Sequence, residues 1–166
     1  MSTAIPPRPR QVGTIATRAV LPKRRFAIVA SQYNNEYVQG LVDHAVRELQ
    51  VLVQSPQVDL HQVPGAFEIP IVVRELARQK RADVILALGV ILQGKTDHAE
   101  HLGRSVTEAL QRIAMEDAVP VIHGVLSLKT ETQARERCLE EEMNRGTEAA
   151  RTAVHMANLL DDLREK

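Results

Sequence analysis

Val84-Ile85-Leu86-Ala87-Leu88-Gly89-Val90-Ile91-Leu92 is an unbroken apolar run. A strand written this way is apolar on both faces, as a central parallel strand covered by helices must be. Working outward, Phe26–Ser31 (FAIVAS) reads as a second buried strand. Val58–Val63 reads as a third, weakened by His61 and Gln62, and Val119–Leu126 (VPVIHGVL) as a fourth. Between them, apolar residues recur at three-four spacing. Val38, Leu41, Val42, Ala45, Val46 and Leu49 form one amphipathic stripe, and Ile69, Val72, Val73, Leu76 and Ala77 another. Leu102, Val106, Ala109, Leu110 and Ile113 make a third, on a helix from Asp97 to about Glu116. Two closing helices are expected near Glu131–Leu139 and from about Arg145 to Leu163. Strand–helix alternation with apolar strands implies parallel strands joined by right-handed crossovers. The expected fold is α/β, a three-layer α/β/α sandwich on a four-stranded parallel sheet. Its ligands belong at the carboxyl ends of the strands.

The 166 residues suffice for one domain with an ordinary core, here residues 25–166 after an N-terminal arm, 1–24. Pro6, Pro7 and Pro9 exclude helix from that arm and make it extended. Its opening, MSTAIPPRPRQVG, is basic and Pro-rich and lacks the apolar stretch of a secretory signal. Only 2% of the chain is aromatic, so the core is built from Val, Leu, Ile and Ala. Lys and Arg total 21, as do Asp and Glu, which gives no global charge for nucleic acid or an anionic membrane. No apolar run reaches the roughly 18 residues of a spanning helix. Cys138 is a lone cysteine, unable to close an internal disulfide, and suits a reducing cytoplasm.

Gly89-Val-Ile-Leu-Gln-Gly94-Lys95-Thr96 fits the nucleotide-binding pattern G-x-x-x-x-G-K-[ST] letter for letter. A phosphate loop needs its middle residues to leave the strand, yet Val90, Ile91 and Leu92 continue one. No later strand ends in the Asp that usually holds Mg²⁺. A phosphate site without a nucleotide fits better: Gly94-Lys95-Thr96 before a helix offers N–H groups, a hydroxyl and a dipole to an anion. His98, in the first turn of that helix, is disfavoured as imidazolium there and suits proton acceptance. Its alternative is a plain surface histidine. His98, Glu100 and His101 lack a third ligand cluster, so no metal is expected. Arg137 and Arg145 are candidate anion clamps, although Arg135, Glu136 and Glu140–Glu142 around them make a solvated face the simpler pattern reading. Glu68 is either a ligand contact or a helix-start acid complementing the dipole. Tyr33, one of two Tyr beside two Phe, is a stacking candidate on a ligand-facing loop.

Pro64-Gly65-Ala66-Phe67-Glu68-Ile69-Pro70, then Ala87-Leu88-Gly89, Gly94-Lys95-Thr96-Asp97-His98 and Pro120-Val121-Ile122 resemble the lumazine synthases. Asn144-Arg145-Gly146-Thr147-Glu148-Ala149-Ala150, continuing to Met156-Ala157-Asn158-Leu159, is similar to their last helix. The resemblance runs from about Phe26 to Leu160 and implies a flavodoxin-like domain. It also implies the condensation of 5-amino-6-(ribitylamino)uracil with 3,4-dihydroxy-2-butanone 4-phosphate, without cofactor or metal. By that resemblance Tyr33 stacks on the pyrimidine, with Asn34 beside it. Ala66, Phe67 and Glu68 hold the ribityl chain, and Ile91 and Leu92 offer backbone contacts to the pyrimidine edge. Lys95 and Thr96 form the phosphate loop, and His98 is the proposed general acid/base. Arg137 binds phosphate from a neighbouring subunit, and Arg145 takes a position often held by Lys near the pyrimidine oxygen. The implied partners are these small molecules and further copies of the chain, in a pentamer or a multiple of pentamers. Three departures stand out: His123 where many members have Phe closing the pocket, Leu139–Met143 (LEEEM) in place of a small basic run, and a hydroxyl on the Tyr33 ring. The competing readings are a P-loop-like nucleotide hydrolase and a non-catalytic lumazine- or flavin-binding shell protein. The intact His98, Arg137 and Glu68 speak against the latter.

Overall fold

In the computed structural model, which describes residues 23–165, four strands form one parallel sheet in the order β2-β1-β3-β4. These are β1 (Arg25–Ser31), β2 (Gln57–Val63), β3 (Val84–Leu92) and β4 (Val121–Leu128). The expected arm therefore lies outside the described residues except for Lys23 and Arg24. Arg24 ties the chain's entry to the last helix through Asp161 at 2.6 Å and Asn158 at 2.8 Å.

The apolar run β3 lies inside the sheet, paired with β1 from Phe26↔Val84 to Ala30↔Leu88 and with β4 from Ile85↔Val121 to Leu92↔Leu128. Side chains alternate between two cores, as strand geometry requires. Leu86, Leu88 and Val90 point to one, beneath α1 (Asn35–Leu52), α4 (Glu131–Cys138) and α5 (Arg145–Arg164). Ile85, Ala87 and Ile91 point to the other, beneath α2 (Ile69–Arg78) and α3 (His98–Asp117). The three expected layers are present.

Two boundaries move for physical reasons. β4 begins two residues later than expected because Pro120 has no N–H for the ladder. Only its carbonyl joins, accepting from Ile85 N at 2.9 Å, and the strand instead extends to Leu128 opposite Leu92. The helix after Pro64-Gly65 opens as a short 3₁₀ turn, η1 (Ala66–Glu68), before α2 takes over with Pro70 in its first turn. β2 is an edge strand with most residues partly or fully exposed, which explains its weak apolar signal.

The strand order reverses between β1 and β3. The chain leaves β1 toward β2 on one side and later passes from β3 to β4 on the other. A crevice outside the carboxyl ends of the strands opens at such a switch point.

Candidate active site

β1 ends at Ser31, and the chain turns over the crevice. Gln32 N–H donates to Val63 O at 2.8 Å, and Tyr33 N–H donates to Pro64 O at 3.2 Å. The loops after β1 and β2 are thus tied together by backbone. Asn34 adopts left-handed geometry (φ 58°) and makes no side-chain cap to α1. Its Nδ2 instead donates to Val90 O at 2.8 Å. β3 runs beyond the end of β1 here, so the Asn34 amide satisfies a carbonyl that β1 no longer reaches.

Gly65 has a local reason to be glycine. A Cβ there would stand 3.0 Å from Glu68 Oε2 and 3.1 Å from the Tyr33 ring at Cδ2. Its absence lets the Tyr33 ring and the Glu68 carboxylate close on one point. Glu68 Oε2 accepts from Gly65 N–H at 2.9 Å, which orients the carboxylate and leaves Oε1 without a described partner. Tyr33 is 71% exposed and Phe67 65%, so two of the chain's four Phe and Tyr rings face solvent at this one edge. Aromatic surface left bare beside a fixed carboxylate suits ligand binding.

The loop after β3 leaves the same carboxyl edge of the sheet, and η1 packs against α3 as well as β1 and β3. Gln93 N–H donates to Leu128 O at 2.8 Å and anchors the loop to the end of β4. Lys95, Thr96, Asp97 and His98 are all exposed. Asp97 occupies the N-cap of α3 but makes no side-chain cap hydrogen bond. The first N–H groups of α3 therefore carry no cap, beside Lys95 and Thr96, and suit an anion. The nucleotide-loop reading fails on the same strand. Gly89, Val90, Ile91 and Leu92 sit in register with Val125, Leu126, Ser127 and Leu128, so their backbone belongs to the sheet. Glu100 pairs with Arg104 at 3.3 Å, and among the described residues no group of three His, Cys, Asp or Glu gathers as a ligand set.

Tyr33, Asn34, Ala66, Phe67, Glu68, Ile91, Leu92, Lys95, Thr96 and His98 thus share the carboxyl edge of β1, β2 and β3. Three expected site residues do not join them within one chain. Arg137 is on α4, which packs on α1, α5 and β4, the sheet face opposite to α2 and α3. Its Nε is buried without a hydrogen-bond partner among the described residues. Neighbouring Cys138 has its thiol pushed up to about 12 by burial, against the pull of the Arg137 charge, and is no nucleophile. Arg145 forms an ion pair with Glu148 one turn along α5. His123 pairs with Ala87, four residues before the Ile91↔Ser127 pair, which puts it about 13 Å down the strand from the crevice at roughly 3.3 Å per residue. Burial lowers its pKa below the usual histidine value. Nδ1 accepts from Val125 N–H at 3.3 Å, which leaves the proton on Nε2, 2.7 Å from Thr107 Oγ1.

Sequence reasoning read Gly65 only as a turn and family residue, and missed the bridging role of Asn34. It also treated Asn144 and Gly146 only as family marks. Asn144 is fully buried and caps α5, and a Cβ on Gly146 would collide with the carbonyl oxygen of Leu41 in α1.

A parallel α/β sheet whose carboxyl edge carries two exposed rings, an oriented carboxylate and an uncapped helix start beside a histidine places the chain among α/β proteins with a site suited to small anionic ligands. More narrowly, the chain belongs to the 6,7-dimethyl-8-ribityllumazine synthase family, whose model matches residues 23–161. It is similar to the 6,7-dimethyl-8-ribityllumazine synthase of Halorhodospira halophila (strain DSM 244 / SL1), 38% identical over 144 residues, 86% of this chain and 92% of that one.

Proposed function

We infer that the chain condenses 5-amino-6-(ribitylamino)uracil with 3,4-dihydroxy-2-butanone 4-phosphate to 6,7-dimethyl-8-ribityllumazine, releasing phosphate, in riboflavin biosynthesis. The reading rests on membership of the family. The observation that carries its residue-level form is the convergence of Tyr33, Glu68 and the loop to His98 at the switch point. The pyrimidine amine attacks the ketone; the resulting imine loses an α proton and expels phosphate, and ring closure with dehydration completes the lumazine. Tyr33 stacks on the pyrimidine, with Asn34 holding its loop to Val90. The carbonyls and N–H groups of Ile91 and Leu92 meet the pyrimidine edge. Ala66, Phe67 and Glu68 hold the ribityl chain, and Glu68 comes with its carboxylate already oriented by Gly65. Holding both reactants in one crevice removes much of the entropic barrier. Lys95, Thr96 and the start of α3 receive the phosphate and stabilise its departure. His98 moves the proton during elimination.

Arg137, His123 and Arg145 serve sites completed between copies of the chain, Arg137 as the second phosphate ligand. Its Nε has no hydrogen-bond partner among the described residues, so no described contact commits the guanidinium to the packing of its own chain. A groove of about 450 Å³ between α2 and α3 supports assembly into a pentamer or a multiple of pentamers. It is walled by Phe67, Ile71, Val106 and Ile113, of which Ile71 is 69% exposed. The cytoplasm is the proposed location, which the lone, buried Cys138 suits. The deciding experiment mixes pure protein with both substrates and follows lumazine fluorescence and phosphate together. The two should rise in equal amounts; substrate consumption without lumazine overturns the assignment.

A further inference from the structure

Ser31, the last residue of β1, is only 3% exposed, and its hydroxyl has no hydrogen-bond partner among the described residues. Buried hydroxyls nearly always have one, and an orphan calls for an explanation. Alternation along β1 puts Ser31 on the same face as Ala27 and Val29, toward α2 and α3. There it lies across from Gly89. A Cβ on that glycine would stand 3.0 Å from Ser31 Oγ, 3.3 Å from Ile69 Cδ1 and 3.4 Å from Val125 Cγ1. The β3 residue level with Ser31 therefore brings no side chain against the hydroxyl. Ser31 is also level with Val63, the residue before the Pro64–Glu68 turn, and two residues before Tyr33. It ends β1 at the carboxyl edge of the sheet, beneath the Tyr33 loop and the turn that carries Glu68.

We propose that Ser31 is a positioning residue for the hydroxyl-bearing chain of the pyrimidine substrate. Its O–H donates to that chain, directly or through one water that the chain holds, and so gains its partner only on binding. This rests on the proposed function above. It assigns the polyol a second anchor, opposite the Glu68 carboxylate, on a rigid strand rather than a turn. A donor from below and an acceptor from the side would fix which hydroxyl faces which wall.

The test is Ser31→Ala, which removes one oxygen and leaves the packing volume nearly unchanged. The KM for the ribitylamino-pyrimidine should rise about 3- to 10-fold, the range of one net hydrogen bond. The KM for the sugar phosphate and kcat should stay within about twofold, since neither depends on the polyol. A diaminouracil lacking the ribityl chain should bind both proteins equally by calorimetry. The ligand-free variant should melt at or above the wild-type temperature, because it loses an unsatisfied buried hydroxyl. An unchanged pyrimidine KM, an equal loss for both substrates, weaker binding of the chainless diaminouracil, or a Tm several degrees lower would each overturn the proposal. Lumazine formation by the wild type reports separately on the function itself.

Discussion

Asn144→Ala should be among the most damaging single substitutions outside the apolar core, and its cost follows from four hydrogen bonds. Oδ1 accepts from Gly146 N–H at 2.8 Å and Thr147 N–H at 3.4 Å, capping α5. Nδ2 donates to Cys138 O at 2.8 Å and Glu140 O at 3.1 Å, closing the end of α4 and the loop that follows. The side chain is 0% exposed, so water cannot readily replace these partners. Losing the cap costs about 1 kcal/mol. Each carbonyl left without its donor adds about 1 kcal/mol or somewhat more. The sum is about 3 kcal/mol, and at roughly 2–4 °C per kcal/mol for a chain of this size, Tm should fall by about 10 °C. Asn144→Ser restores the cap acceptor but not the two donations, and should recover about 2–4 °C of that loss. Thermal unfolding followed by circular dichroism, at one protein concentration with oligomer size verified, measures both, because assembly itself contributes stability. A Tm for Asn144→Ala within about 2 °C of wild type would refute the reasoning, and a serine variant no better than alanine would refute the cap share.

Gly146→Ala should yield little folded protein, because the new methyl meets the Leu41 carbonyl and two helix backbones must part; a soluble variant with an unchanged Tm would contradict that close approach. His98→Ala should slow turnover by roughly 10²-fold with little change in substrate binding, the low end of general acid–base effects, and an unchanged steady-state rate would remove it from the mechanism. Arg137→Ala should weaken use of the sugar phosphate by about 1.5–3 kcal/mol and leave pyrimidine binding intact; equal weakening of both would mark a structural role. Co-assembling the inactive Glu68→Ala and Arg137→Ala chains should restore about one quarter of wild-type activity if each site takes one residue from each of two subunits in a ring. Size-verified mixed oligomers as inactive as their parents would place both residues in one subunit's pocket.

The sheet was legible because β3 is apolar throughout and the helices carry three-four stripes; such patterns depend only on which faces meet water. The carboxyl-edge residues were legible from the same pattern, since each ends a strand or lies in the turn that follows one. The rejection of the nucleotide loop was legible too, as Val90, Ile91 and Leu92 read as strand and are strand. Sequence also determined the family, because its motifs recur in order along the chain. What only the tertiary structure decided depends on distances between segments remote in sequence. The Asn34 amide crosses 56 positions to reach Val90 O, and Gly65 leaves room for a ring that belongs to β1's loop. Asn144 and Gly146 were legible only as marks of the family's last helix, yet one joins the end of α4 to α5 and the other admits the backbone of α1. Ser31 carries no sequence signal at all. A serine ending a strand is ordinary, and only burial without a partner makes it informative. Periodicity reports the side of an element that faces the core; it cannot report which atom from another segment stops 3 Å away.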